Sequence, residues 1–272
     1  MLFWTEWLLL GMCVLWGLAV LKRSANGLDK TQRALGISCL LLLVACATPQ
    51  LDALARFSLW LHSWQSVMLH LLLPLMWAAA LAGKACSGAA YSSNFAAVSL
   101  GQFSPVNASV APSGHRLPSH WLWPLAVVSI IAVLVWMLPD FHQIGMASAG
   151  WYSLGKWLMV VSGWLMSEVL LLTLTKPVQA SISRVVMTAL MIVPMALWGS
   201  LMLLFDDLYA HSMVATHSST GESLMSASSG HHTMLMPVAM DQWLAAWVVL
   251  SGCVAYGIGE RLLMQRNTVT VY

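Results

Sequence analysis

The chain has 272 residues, of which 59% are hydrophobic and only 8% are charged, with a formal net charge of +2. A soluble domain has about 25% charged residues, so this composition excludes a soluble protein and indicates a membrane protein. The few basic residues form no patch of the kind that binds nucleic acid, so a nucleic-acid partner is also excluded.

Seven apolar stretches follow one another, each long enough to cross about 30 Å of hydrocarbon as a helix. They cover about residues 3–21, 34–51, 57–82, 121–138, 151–174, 185–205 and 241–263. We therefore predict an all-α fold, a polytopic transmembrane bundle of about seven spans that forms one domain over residues 1–272 and has the lipid bilayer as a partner.

The first stretch has Glu6 near its start and Lys22 and Arg23 after it, the reverse of a secretory signal. This order predicts an uncleaved helix with its N-terminus outside the cytoplasm. The cytoplasmic ends of seven alternating spans then hold ten of the twelve basic residues: Lys22, Arg23, Lys30, Arg33, Lys84, Arg116, Lys176, Arg184, Arg261 and Arg266. Arg56, outside, and Lys156, within a span, are the exceptions. The positive-inside rule thus predicts a multi-pass protein of the bacterial inner membrane with its C-terminus inside.

Two connections are long, a cytoplasmic loop of about residues 86–120 and a periplasmic loop of about residues 206–240. The periplasmic loop contains neither Lys nor Arg and carries His211, Met213, His217, His231, His232, Met234 and Met236. Thioether and imidazole groups suit Cu(I), so we predict copper as a transient ligand of this loop. The alternative is a polar loop whose methionines reflect the chain's total of 18.

Two histidines interrupt the third apolar stretch. His62, Ser66 and His70 advance by four residues each time and share one helix face, with Met68 to one side. Polar groups in hydrocarbon need partners, so His62 and His70 are candidate metal ligands, together with Met137 and His142 near the next outer connection. The alternative places His62 at the water interface and pairs His70 with a neighbouring carbonyl.

These residues carry a resemblance to the seven-helix CtaG family of cytochrome c oxidase assembly proteins. In that family the third helix reads like H-M-x-Q-H with a proline eight residues later. The stretch "HSWQS" followed by Pro74 is similar, with His62 and Gln65 in place and Ser66 at the second histidine. The segment "WMLP" resembles the family's W-H-x-P, with Met137 at the histidine.

The later landmarks of the family are also present. The chain carries Arg184, Pro194, Gly199 and Tyr209 at the family spacing, and Asp241 and Gln242 at the start of the last helix. Two histidines that the family places before a glycine, here Gly163, read Tyr152 and Lys156. Lys156 either snorkels to the outer interface, the preferred interpretation, or is a buried charge in place of a metal's charge. Asp241 could simply complement the dipole of its own helix.

The resemblance implies a membrane factor that helps to assemble a haem-copper oxidase by supplying copper to the buried centre of the oxidase. The oxidase subunits are the partners that it implies. Because four family histidines are replaced, either His70 and Met137 rebuild the site in softer form or a scaffold role remains. A metal-free accessory subunit of a respiratory complex is the second hypothesis. A transporter is disfavoured because the chain shows no paired Gly/Pro-broken helices in two matching halves. An enzyme is not expected because no complete acid/base or nucleophile arrangement is visible.

Overall fold

The computed structural model describes residues 2–24, 28–82, 124, 127–128, 130–131, 134–135, 138–175, 177–205 and 237–269. Its helices are α1 Leu2–Ser24, α2 Lys30–Ala47, α3 Pro49–Ala55, α4 Leu59–Ala82, α5 Pro139–Ala147, α6 Ala149–Thr175, α7 Pro177–Leu204 and α8 Val238–Val269. No strand occurs in these ranges, and five of the helices (α1, α2, α4, α6 and α8) are long and apolar enough to cross a membrane. The predicted all-α transmembrane bundle is confirmed.

Local sequence explains where α2 and α3 begin. Asp29 and Gln32 form a capping box at the start of α2, because Gln32 N donates to Asp29 Oδ1 over 2.7 Å and Asp29 N donates to Gln32 Oε1 over 3.0 Å. Thr48 caps α3, and Pro49 occupies its first position, where no amide hydrogen is needed. The second span was predicted to reach residue 51, but this cap and proline end it at Ala47.

Helix α4 contains a π-helical turn over Met68–Leu72, in which Leu73 N donates to Met68 O. Pro74 follows directly, and a proline has no amide hydrogen and would crowd the carbonyl of His70 in a regular α-helix. The wide turn relieves that conflict. Helix α6 approaches closely at this point, because a Cβ on Gly163 would lie 2.6 Å from Leu69 O and 2.5 Å from Pro74 Cγ.

Helix α8 packs against α4 and α7, and two adjacent side chains in its first turns hold both neighbours. Asp241 accepts hydrogen bonds from Ser58 Oγ at 3.0 Å, Leu59 N at 2.7 Å and Trp60 N at 3.0 Å, so it caps the start of α4. Gln242 Nε2 donates to Met202 O at 2.8 Å and Phe205 O at 2.6 Å, which satisfies carbonyls at the end of α7. Asp241 therefore caps a neighbouring helix in addition to lying in the first turn of its own.

Candidate functional site

Buried polar side chains from five helices meet at the end of the bundle where α4 begins. They are Glu6 of α1, Asp52 of α3, His62 and Gln65 of α4, His142 of α5, and Tyr152 and Lys156 of α6. Every one of them is at most 7% exposed. We call this set the polar cluster. Uncompensated polar groups cost several kcal/mol in an apolar interior, so the cluster must satisfy its own hydrogen bonds.

Lys156 carries the positive charge of the polar cluster. Its Nζ donates to Glu6 Oε2 at 3.2 Å, to Ala47 O at 3.1 Å and, over a short contact, to Asp52 Oδ2. These three acceptors match the three hydrogens of an ammonium group. The preferred interpretation that Lys156 snorkels to the interface is wrong, because it is 3% exposed and the ends of neighbouring helices supply its counter-charges.

Asp52 lies in α3, where burial raises the pKa of its carboxyl to about 6, against the opposing influence of the Lys156 ammonium and of a hydrogen bond from Gln65. The carboxylate remains the ionised form at neutral pH, and its two oxygens have different partners. Lys156 donates to Oδ2, and Gln65 Nε2 donates to Oδ1 over 2.7 Å. Asp52 thereby links the charged half of the cluster to its neutral half.

The neutral half runs from Gln65 to His62. Gln65 Nε2 also donates to Cys46 O over 2.6 Å, which satisfies a carbonyl at the C-terminal end of α2. Tyr152 Oη donates to Gln65 Oε1 over 2.5 Å and lies 3.0 Å from His62 Nδ1. Ser66 does not join this chain, because its Oγ donates to His62 O of its own helix over 2.9 Å.

His62 and His142 lie side by side, with ring centroids 4.8 Å apart and the ring planes at 66°. His142 is brought there by α5, which starts at Pro139. Burial lowers the pKa of His142 well below its usual 6.5, and the neighbouring His62 lowers it further, so His142 is neutral at physiological pH. Two imidazoles from different helices, 7% and 4% exposed, therefore meet edge to face within the polar cluster.

His70 belongs to a separate environment deeper in the bundle. Its Nδ1 lies 2.8 Å from Ser162 Oγ, and that hydroxyl donates to Met159 O over 2.9 Å. The Ser162 hydroxyl is thus one partner of His70, and the backbone carbonyl of Met159 is a second. Met68 packs against an apolar core that includes Leu69 and Trp77. The structure brings His142 to His62 and leaves His70 and Met68 away from that pair.

The remaining predicted ligands lie outside the described residues. They are Met137 of the fourth apolar stretch and His211, Met213, His217, His231, His232, Met234 and Met236 of the periplasmic loop.

The polar cluster does not fit a resident copper ion. In the described part of the chain, no group of three or more His, Cys, Asp or Glu side chains is arranged to hold a metal. The side chains around His62, Tyr152 and Lys156 leave no space for a water molecule between them. An ammonium group already supplies positive charge here, so we derive no step in which a metal stays bound inside the cluster.

Gln65, Tyr152 and Lys156 were named at family positions but not predicted as ligands, and two residues of the polar cluster were missed altogether as site components, Glu6 and Asp52. A signal for them existed in Lys156, because a cation within a span requires acidic partners at the same depth. Glu6 lies near the start of the first predicted span, and Asp52 lies just after the second. Both positions are on the predicted outer side, where the span that contains Lys156 begins.

The sequence also matches a protein family. A family model described as cytochrome c oxidase caa3 assembly factor (Caa3_CtaG) matches residues 14–264, which covers nearly the whole chain and includes most of the polar cluster. No curated protein and no solved structure matches the chain. The chain therefore belongs to the cytochrome c oxidase caa3 assembly factor family.

Proposed function

We propose that this chain is a non-enzymatic assembly factor of the bacterial inner membrane that passes copper to a haem-copper oxidase from its periplasmic side. The single observation that carries the copper part is the His62–His142 pair of the polar cluster, with ring centroids 4.8 Å apart. Imidazole nitrogens bind copper in both of its common oxidation states. Copper is the cargo in this proposal, and the pair is a point of brief contact.

The periplasmic loop supports this assignment through the position of its two ends. Helix α7 ends at Leu204 and α8 begins at Val238, so the loop connects these points. Gln242 holds Phe205 O, and Asp241 holds the first residues of α4. The loop therefore leaves and re-enters the bundle at the end where the polar cluster lies. We propose that its histidines and methionines collect copper and present it to His62 and His142.

The test is the metal content of the oxidase made with altered assembly factor. We expect the double variant His62→Ala/His142→Ala to be inserted normally and to yield an oxidase that contains haem but lacks part of its buried copper. Excess copper in the medium should restore part of that content. The matched control is His70→Ala, which alters a buried histidine bonded to Ser162 and should leave the oxidase copper unchanged. Full copper content with the double variant would contradict the proposal.

The loop is tested separately with a synthetic peptide covering residues 206–240. This peptide should compete with a mild Cu(I) chelator, because thioether and imidazole groups are soft to borderline ligands. Changing His231, His232, Met234 and Met236 together to alanine should abolish the competition. An unmodified peptide that fails to compete would show that the loop does not collect copper.

A second candidate function is a metal-free scaffold that holds oxidase subunits during assembly. The observation that favours it is Lys156, whose ion pairs with Glu6 and Asp52 join α1, α3 and α6 without any metal. Under this function, the double variant His62→Ala/His142→Ala would lose association with the oxidase on affinity purification, and added copper would restore nothing. Normal association together with reduced oxidase copper would exclude the scaffold as the main function.

A further inference from the structure

We propose that Tyr152, Gln65 and Asp52 are positioning residues that fix the tautomer of His62, with the proton on Nδ1 and the lone pair on Nε2. A metal or a proton donor can be bound only by a ring nitrogen that has a lone pair. The chain of hydrogen bonds thereby selects Nε2 as the atom of His62 that meets a ligand. The use of this atom for copper rests on the proposed function, whereas the tautomer itself does not.

The first step is the orientation of the Gln65 amide. One terminal atom of this amide lies 2.6 Å from Cys46 O and 2.7 Å from Asp52 Oδ1, and both of those atoms are acceptors. Only the NH₂ group can satisfy two acceptors, whereas a flipped amide would place its oxygen against a carbonyl and a carboxylate. Lys156 binds the other oxygen of Asp52 and so keeps this carboxylate charged and in place.

The second step follows the protons outward from Gln65. With its NH₂ group committed, Gln65 presents Oε1 as an acceptor 2.5 Å from the Tyr152 hydroxyl. A tyrosine has one hydroxyl hydrogen, and Gln65 receives it. The Tyr152 oxygen can then only accept from His62 Nδ1, which lies 3.0 Å away and must carry a hydrogen. In a neutral ring, this leaves the lone pair on Nε2.

The network also separates the roles of the residues that replace histidines in this chain. Tyr152 and Lys156 stand at two positions where the resemblance places histidines of the family. Neither of them is placed to bind a metal together with His62. Tyr152 Oη accepts a hydrogen bond from His62 Nδ1, and Lys156 Nζ donates to Glu6, Asp52 and Ala47 O. A metal-binding histidine commonly donates its other ring N–H to a fixed acceptor, and Tyr152 provides that acceptor here.

The tautomer can be measured by nitrogen NMR on the full-length protein in lipid, with ¹⁵N-labelled histidine and the His62→Asn variant to assign the signals. At neutral pH we expect His62 to be neutral, with the hydrogen on Nδ1. In Tyr152→Phe the Nδ1 acceptor is lost, and the hydrogen should move wholly or partly to Nε2. Ser162→Ala, which removes one partner of His70, is the control and should leave the His62 signals unchanged.

A His62 hydrogen on Nε2 in the unmodified protein would overturn the inference, whether or not any variant folds. An unchanged His62 spectrum in Tyr152→Phe would overturn it as well. Silver(I), a redox-inert stand-in for Cu(I), separates this inference from the proposed function. The expected result is a shift of the His62 Nε2 signal on adding silver(I). An Nδ1–H tautomer whose signals ignore silver(I) would support the positioning role and contradict the copper contact.

Discussion

At the scale of single residues, the burial of Lys156 determines the role of the acidic residues around it. Lys156 has an apolar sequence environment, and the aliphatic stem of a lysine commonly lets its ammonium reach water. In the folded chain Glu6 and Asp52 approach from two other helices, and the carbonyl of Ala47 adds a third acceptor. The ring of Trp157 lies 5.5 Å from Nζ and adds a cation–π contact. The buried Lys156 ammonium is therefore stabilised by three acceptors and one aromatic ring.

Removing this cation is expected to destabilise the protein strongly. Lys156→Met leaves Asp52 and Glu6 buried without their counter-charge, and breaking a buried ion pair from one side costs about 3–5 kcal/mol. The expected result is a marked fall in the thermal unfolding temperature of the protein in detergent. Lys156→Met/Asp52→Asn should recover part of the loss, because it removes one of the two uncompensated charges. Lys22→Met, which changes an exposed lysine at the end of α1, is the control and should have little effect. An unfolding temperature unaltered by Lys156→Met would contradict the ion pair.

At the scale of helices, the bundle depends on close approach at the π-helical turn of α4. Helix α6 contacts that turn through Gly163, beside Leu69 O and Pro74 Cγ. Ser162, the residue before Gly163, binds His70, and Tyr152, nearer the start of α6, binds His62, so the same contact sets the position of both histidines. A shift of α6 relative to α4 would therefore reach the polar cluster.

We expect Gly163→Ala to destabilise the protein by about 1–3 kcal/mol, the usual cost of overpacking. Its Cβ would lie 2.6 Å from backbone Leu69 O and 2.5 Å from Pro74, and neither neighbour is a flexible side chain. Thermal unfolding in detergent measures the change. Gly11→Ala is the matched control, because a Cβ on Gly11 meets nothing within 4 Å, so this variant should keep or slightly gain helix stability. Equal unfolding temperatures for the two variants would show that the α4–α6 approach is looser than described.

At the scale of the whole molecule, the apolar stretches predicted the fold because hydrocarbon imposes both length and helical structure on a span. The spans at 57–82 and 151–174 agree with Leu59–Ala82 and Ala149–Thr175 to within two residues at each end. The candidate site was predicted only in part. The His62–His142 pair depends on α5 placing His142 beside α4, and the Lys156 ion pairs depend on three helices that are distant in sequence. Periodicity within one helix contains no information on either.

His62 and His70 were predicted two turns apart on one face of their helix, and both rings do contact the same neighbouring helix, α6. They bind different residues of it, Tyr152 and Ser162, and the π-helical turn at Met68–Leu72 lies between the first histidine and the following proline. Proline at position 74 was visible in the sequence, but the wide turn next to it was not inferred.

The interhelical contacts and the basic residues together predict how the molecule is oriented in the membrane. Lys156 ties the start of α1 to the start of α6, while Asp241 and Gln242 tie the start of α8 to the start of α4 and the end of α7. Residues near the start of α1 and the two residues that flank the loop between α7 and α8 thus lie at the end of the bundle that holds the polar cluster. Lys22 and Arg23, in the last turn of α1, lie at the other end. Basic residues favour the cytoplasmic side, so the polar cluster should face the periplasm.

Reporter fusions test this orientation. We expect an enzyme that is active only in the periplasm to be silent when fused after Arg266 and active when inserted near Gly221. The apolar part of α8, Ala239–Gln265, lies between these two positions, and the basic residues orient it. A reporter active only in the cytoplasm should give the opposite pattern at both sites and serves as the control. Reversed activity at both positions would place the polar cluster on the cytoplasmic side, and copper could then not reach His62 and His142 from the periplasm. Equal activity at both positions would contradict the odd number of crossings between the loop and the C-terminus, and with it the membrane-spanning assignment of α8.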